Sequence, residues 1–591
     1  MDVDDRSEPD RSPSRREHAT PPVDAGCDAP FRGSNRVHAS ATHRLPARPQ
    51  LKMKGNTILN HPLRTSICLL AGTLAIGFST AAANARPEAP ARPAEAVTIF
   101  LRTDGSIGPR DALDRVQGSI APRTRKTVEA ATVTRGAADL DDATLDRLLA
   151  NERAATGRLA PDPRFDAYVT LSAGTDLQGL IASLGELDGV VMVGRAPTPV
   201  APPKAAASMP AEDHESLQNY LRPSANGGIG AIPAWSLGLS GAGVAMCDIE
   251  YDFDENHCDL PPIEILGFDP VSPFGDAHGT AVFGEMISLD DGEGTKGIAH
   301  GATEIYFSPQ YNGSTNDIGA AVYRATAAMP EGSVIVLEVQ IGGPNGEYVP
   351  MEWWPPYYDA VVNAIANGMV VVQAAGNGGE NLDDPIYATG NFGHHPFLAE
   401  NDSGSIIVGA GAAYPSCWGV SARGKLYFSN YGSRVNLQGY GNCVATLAYG
   451  DLENTESCDF TATFSGTSSA TPIVSGACML VQEFARDLLG RNLGCQEIRE
   501  LLADTGRPQT NASNGNIGPL PDVMAALDAL DPPPPPCDAD FNGDGFVNGA
   551  DLGIMMSWFG SGGFPGDLDD DGTINGADLG LFLIQWGPCP E

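Results

Sequence analysis

Four short runs hold residues whose types suit nucleophilic catalysis. The most specific is Phe464-Ser465-Gly466-Thr467-Ser468-Ser469-Ala470-Thr471-Pro472, followed by a helical pattern from Ile473 to Leu489. Its small residues allow a tight turn that presents Ser468 at a helix start, where backbone N–H groups can stabilise a developing oxyanion. A serine hydroxyl needs a base within hydrogen-bond reach. Asp276-Ala277-His278-Gly279-Thr280-Ala281-Val282 offers one. His278 would open a helix, whose N-terminal field disfavours extra positive charge on the imidazole. An acid that orients the base belongs at the end of a buried strand. Val244-Ala245-Met246-Cys247-Asp248 reads as that strand, with Asp248 its first charged residue. Asp252 and Asp254 are rivals, but their Asp/Glu-rich loop fits solvation or cation binding better. Ala374-Ala375-Gly376-Asn377-Gly378, directly after the strand Met369–Gln373, offers the Asn377 amide as an oxyanion donor. Taken singly, Gly-Thr-Ser is also a helix cap, a lone His is more often structural, and Asn-Gly is a frequent turn.

Together these strings, in the order Asp, His, Asn, Ser, resemble the motifs of the subtilase family. The resemblance runs from the Ala234-Trp235 region to Pro519-Leu520-Pro521-Asp522. It implies a subtilisin-like α/β fold, a parallel sheet with helices on both faces. It also implies a serine endopeptidase that hydrolyses polypeptide substrates through an acyl-enzyme on Ser468. His278 would be general base and acid, and Asp248 would orient it. Asn377 and the Ser468 N–H would form the oxyanion hole, and the chemistry would need no cofactor. Two departures stand out. The family usually follows its Asp with Thr-Gly or Ser-Gly, and here Ile249-Glu250 follows Asp248. The edge that binds substrate backbone reads Val339-Gln340-Ile341-Gly342-Gly343, so side-chain preference does not carry over. The alternative is a catalytically inactive subtilase fold used for binding or display. A lipase or esterase would want Gly-x-Ser-x-Gly and the order Ser, Asp, His, which Ser468 does not offer.

Short β-branched runs alternate with amphipathic ones across 211–530, which suits a parallel sheet. The strands are Val244–Ile249, Glu304–Ser308, Val334–Val339, Met369–Gln373 and Ser405–Val408. The helices are His278–Leu289, Asp317–Met329 and Tyr358–Asn367. Such sheets carry their sites at the carboxyl ends of the strands. Ahead of this region, 86–210 shows strands at Ala96–Leu101, Ala167–Leu171 and Val190–Val193 and a helix near Leu177–Leu187. It then runs into the Pro- and Ala-rich Ala196–Pro210. It resembles a subtilase prodomain, a small α/β unit, with an exposed cleavage zone.

Pro532–Pro536, within a linker at 531–536, makes a semi-rigid spacer before a tail at 537–591. The tail repeats one pattern at an offset of 27 positions. Asp540, Asn542, Asp544, Asn548 and Asp551 stand at places one, three, five, nine and twelve of the first loop. Asp567, Asp569, Asp571, Asn575 and Asp578 match them in the second. Gly545 and Gly572 take the sharp turn, and Phe546 and Thr573 would give carbonyls. This is an oxygen set for calcium. The tail has no Lys or Arg, so without cations its carboxylates would repel one another. It resembles a type I dockerin, a small calcium-binding helical module, which implies a cohesin-like protein partner.

The 591 residues exceed one ordinary domain, and a hydrophobic content of 42% permits a large core. A formal net charge of −38 argues against a nucleic-acid surface. Residues 1–85 read as a leader. Its first 52 residues show no apolar period and read as an extension ahead of the true start. Met53–Lys54, the apolar run Ile67–Phe78 and Ala83-Asn84-Ala85 then have the layout of a signal peptide at 53–85. The run is short for a membrane span. A secreted or cell-envelope-associated protein with no stable membrane span is therefore expected. After leader removal nine of the eleven cysteines remain, an odd number with open connectivity.

Overall fold

The structure is a computed structural model, and it describes residues 96–202, 214–388, 394–455, 457–531, 537–562, 565–569 and 571–589. The leader at 1–85, Pro532–Pro536 and the 203–210 part of the Pro/Ala-rich linker lie outside these residues.

A seven-stranded, all-parallel sheet organises the centre of the chain. Its strands are β5 (Met246–Asp248), β6 (Glu264–Ile265), β7 (Ile305–Phe307), β8 (Val334–Leu337), β11 (Val370–Ala374), β12 (Ile406–Gly411) and β13 (Leu437–Tyr440). They lie in the order β13-β12-β11-β8-β5-β7-β6. The order reverses direction at β5, and such a switch point opens a crevice at the carboxyl ends of its strands. Strands β8, β11 and β12 are buried along their whole length, which explains their near-continuous Val and Ile content.

Alternate residues enter two different cores. Met246, Val334, Val336, Val370 and Val372 join one cluster with α6 (Ala277–Ile287) and α9 (Thr467–Leu489). Cys247, Ile335, Leu337 and Val371 face the other, with α7 (Ile318–Ala328) and α8 (Pro355–Ala366). A short antiparallel ladder, β9 (Gln340–Gly342) with β10 (Tyr348–Pro350), extends beyond the carboxyl end of β8. This is the expected parallel sheet with helices on both faces.

The N-terminal unit is a four-stranded antiparallel sheet of β1 (Val97–Thr103), β2 (Thr132–Arg135), β3 (Asp166–Leu171) and β4 (Val190–Arg195), in the order β2-β3-β1-β4. It also carries α1 (Pro109–Val116), α2 (Pro122–Glu129), α3 (Asp142–Thr156) and α4 (Leu177–Gly185). Of the four helices only α4 is anticipated by the sequence pattern. Along β1, Ile99 and Leu101 face this unit's own core, with Leu113 and Leu180. Phe100 and Arg102 project the other way, onto α8. There the Phe100 ring meets Trp354 edge-on at 5.8 Å. Arg102 bonds Asp166 with two nitrogens, at 2.6 and 2.8 Å, and Asp359 with a third at 2.8 Å. Helix α3 adds Asn151 to Asn367 and Asn363 to Glu152, each at 2.8 Å.

Three disulfides join Cys258 to Cys458, Cys417 to Cys443 and Cys537 to Cys589. Cys247, Cys478 and Cys495 are buried free thiols. In the tail, α12 (Gly549–Trp558) and α13 (Gly576–Ile584) pack around Met555, Ile574 and Phe582. Among the described residues no helix is long and apolar enough to cross a membrane.

Arg102 neutralises two largely buried carboxylates at once. Losing one partner of a buried ion pair is costlier than never having had the pair. Arg102→Ala should therefore lower stability by about 3 kcal/mol, read from chemical denaturation of the full chain. A loss below about 1 kcal/mol would mean that water solvates Asp166 and Asp359 as well as the guanidinium does.

Candidate active site

Helix α6 begins at Ala277 and helix α9 at Thr467, so His278 and Ser468 both occupy the second position of a buried helix. Gly466 caps α9 at φ 116°, a conformation open to glycine, and turns the chain into the helix. Proline at 472 has no N–H to give the Ser468 carbonyl, as a regular helix would require. The Thr471 hydroxyl, bonded to the Thr467 carbonyl at 2.8 Å, braces that turn. Ser468 is 2% exposed.

The His-Gly-Thr string is explained by close packing. A Cβ on Gly279 would come within 2.4 Å of the Asp252 carbonyl oxygen, so only glycine lets α6 lie against this loop. The Thr280 hydroxyl donates to the Asp276 carbonyl at 2.9 Å and accepts from the Asp254 N–H at 2.8 Å. The loop after β5 is thus tied to the helix that carries His278.

The structure corrects the expected partner of His278. Its Nδ1 lies 2.8 Å from Oε2 of Glu250, not against Asp248. The other Glu250 oxygen accepts the Tyr251 N–H at 2.8 Å. Asp248 is the last residue of β5, fully buried, and its carboxyl faces Glu338. The reason is geometric. Glu250 lies two residues beyond the end of β5, where the chain bends toward the start of α6, and its side chain is longer by one methylene. The run Ile249-Glu250 in place of Thr-Gly was the available signal.

With Nδ1 engaged, His278 Nε2 is left buried and without a hydrogen bond. It borders a small pocket lined by Glu250, Tyr251, His278, Glu338, Val339, Gln340 and Ser468. The remaining wall is chain from the end of the N-terminal unit, Val200, Ala201 and Pro202, and the Val200 N–H donates to the Tyr251 hydroxyl at 2.9 Å. Asn377 follows β11. Its Oδ1 accepts the Thr467 N–H at 2.9 Å and the Thr467 hydroxyl at 3.1 Å, which fixes the amide orientation. Its own N–H bonds Oε1 of Gln340 at 2.8 Å. The Asn377 Nδ2 is buried and donates to nothing. A buried donor without an acceptor is costly, and its tether to Thr467 places it beside Ser468.

In the tail, carboxylate oxygens of Asp540, Asp544 and Asp551 lie within 4.8 Å of one another, as do those of Asp567, Asp569 and Asp571. Asp567 Oδ1 is buried with no hydrogen-bond partner. Asp551 and Asp578 are buried and accept backbone N–H groups from their own loops, Asp551 from Asn542 and Asn548, and Asp578 from Leu568, Asp569 and Asn575. Asn548 and Asn575 cap α12 and α13. Phe546 pairs with Pro588 near the chain end, and the Thr573 carbonyl accepts from Asn575. Cys537 and Cys589 also approach Asp540 but are bonded to each other, so they offer no thiolate. The donor set is all oxygen and fits a hard cation.

A serine at a helix start, a histidine held by a carboxylate and an idle amide donor, at the switch point of a parallel α/β sheet, define a class: the subtilisin-type serine endopeptidases. The family comparison agrees, since residues 267–518 match the Subtilase family. The match includes His278, Asn377 and Ser468 and begins after Asp248 and Glu250. The chain is 27% identical over 314 residues to the major intracellular serine protease of Bacillus subtilis, covering 49% of this chain and 84% of that protein. It is 27% identical over 289 residues to subtilisin NAT of Bacillus subtilis subsp. natto, covering 46% and 64%. An extracellular protease of Xanthomonas campestris pv. campestris is 23% identical over 354 residues, 53% of this chain and 55% of that one. Among solved structures, fervidolysin from Fervidobacterium pennivorans aligns with a TM-score of 0.47 at 18% identity, covering 75% of this chain and 62% of its own.

Asn377→Ala should lower kcat on the order of 100- to 1000-fold and leave KM nearly unchanged, because an oxyanion donor bonds mainly in the transition state. A change confined to KM in steady-state kinetics would instead assign Asn377 to the turn.

Proposed function

We propose that the protein is a secreted serine endopeptidase whose catalytic triad is Glu250, His278 and Ser468. His278 Nε2 takes the Ser468 proton as the hydroxyl attacks a peptide carbonyl, and later returns it to the leaving amine. Glu250 fixes the tautomer through Nδ1 and stabilises the imidazolium. The Asn377 amide and the Ser468 N–H receive the oxyanion. One observation carries the reading: a histidine bonded at Nδ1 to a buried carboxylate, with Nε2 free in the pocket that Ser468 lines. Glu250→Gln should cost about 10000-fold in kcat, since an amide fails to hold the right tautomer. Near wild-type turnover in that variant would remove Glu250 from the triad. Ser468→Ala should abolish fluorophosphonate labelling and cleavage of unfolded protein substrates.

The N-terminal unit is read as a prodomain. Its docking on α7 and α8 and the course of Val200–Pro202 through the pocket support that reading, and the Pro- and Ala-rich run to Pro210 is the cleavage zone. Ser468→Ala should then leave the unit covalently attached on a denaturing gel. Three disulfides favour an oxidising compartment and hence export, with cell-envelope association as a further form of it.

The tail is read as a calcium-binding, dockerin-like module with a cohesin-like partner. Asp540, Asn542, Asp544, Phe546, Asn548 and Asp551 would hold one ion. Asp567, Asp569, Asp571, Thr573, Asn575 and Asp578 would hold the other. Calcium would neutralise carboxylates that repel one another and so stabilise α12 and α13. In the full chain, Asp540→Ala and Asp567→Ala should each remove one calcium from a calorimetric titration and leave peptidase activity intact. Wild-type protein that binds no calcium at millimolar concentration would overturn this reading and leave the peptidase untouched.

A further inference from the structure

At the carboxyl end of the central strands, Asp248 and Glu338 stand on adjacent strands, and each acts on the other's charge. Asp248 ends β5. Glu338 follows β8, whose Val336 pairs with Asp248 in the sheet. Asp248 is 0% exposed and Glu338 3%. No hydrogen bond of normal geometry reaches any of their four oxygens from another side chain.

Two bare carboxylates do not stand side by side in such a place. Each would lose its hydration, and their repulsion would add to that cost. A single proton between them turns the repulsion into a hydrogen bond. Burial pushes both carboxyls well above the usual range, so the pair retains a proton where exposed carboxylates have lost theirs. The surrounding charges offer no other relief. Glu250, on the same chain segment, is a further negative charge acting on both. His278 from α6 is bonded to Glu250. Arg324 of α7 acts on neighbouring Cys247, but its guanidinium is engaged by Asp139, the Pro309 carbonyl and the Ser308 hydroxyl.

We infer that Asp248 and Glu338 form a proton-sharing positioning pair, in which one proton lies between the two carboxyls and one fixed negative charge stays behind Glu250 during turnover. The inference rests on the Glu250–His278–Ser468 reading. No bond is made or broken in this pair. Its charge adds to the field that stabilises the imidazolium formed when His278 accepts the Ser468 proton, and its bond braces the ends of β5 and β8 beneath the pocket.

The test compares Asp248→Asn, Glu338→Gln and the double variant. In either single variant an amide N–H replaces the shared proton, so the hydrogen bond and the charge both survive. The acid limb of the kcat/KM–pH profile should stay in place, with kcat within about tenfold of wild type. The double variant keeps a neutral hydrogen bond but loses the charge. Its acid limb should move down by on the order of one pH unit. An infrared difference spectrum, wild type minus either single variant at about pH 8, should show one protonated-carboxyl band. If one single variant folds poorly, the other gives the same spectrum. A double variant with an unshifted limb, single variants that shift as far as the double, or a difference spectrum without the band would each overturn the pair. Failure of the triad reading is separable, since full activity in Glu250→Gln would not affect the infrared band.

Discussion

Three carboxyl side chains, those of Asp248, Glu250 and Glu338, are buried within a few residues of one another where β5 and β8 end. Among the described residues no Lys or Arg forms an ion pair with any of them. Burying that much acidity is the constraint around which the site is arranged. Glu250 has a full set of relief, with one oxygen on a backbone N–H and the other on His278. The histidine is therefore as necessary to the glutamate as the glutamate is to the histidine. Cutting that bond would strand an ion in a place water does not reach, a structural cost beside any catalytic one.

The remaining architecture brings the imidazole to that carboxylate and Ser468 to the same pocket. Helices α6 and α9 belong to the same core and lie on the same face of the sheet, with His278 and Ser468 both in their first turns. Their unfilled N–H groups and aligned peptide dipoles favour negative charge there. Asn377 is carried by a different strand, β11, yet its carbonyl oxygen is spent on Thr467. The Asn377 amide is thus registered on the helix that carries Ser468 rather than on its own loop.

Much of this was legible in the sequence. Fully buried parallel strands read as continuous Val and Ile runs, and the strand and helix runs foreseen in the sheet domain lie within a few residues of those found. His278, Asn377 and Ser468 were legible because close packing demands small residues around them, as Gly279 against Asp252 illustrates. The acid was not. Choosing between Asp248 and Glu250 depends on where the start of α6 lies relative to β5, and neither strand nor helix encodes that alone. Helices α1 to α3 were missed because they are short or polar and bury few side chains, such as Ala112, Leu113 and Val116 in α1. The Cys258–Cys458 bridge spans a separation of 200 residues, whereas Cys247, near Cys258 in sequence, lies in a buried strand.

The route of the chain out of β4 has a kinetic consequence. Val200, Ala201 and Pro202 lie in the pocket because a docked unit holds them there, and the tether between is only a few residues long. While the chain is whole, occupancy of the pocket is a unimolecular quantity, the same in a dilute and a concentrated sample. One cut beyond Pro202 would change its molecularity. The same segment would then compete as a separate molecule, at whatever concentration the surroundings allow. Dilution, which cannot release a tethered segment, would become sufficient to do so.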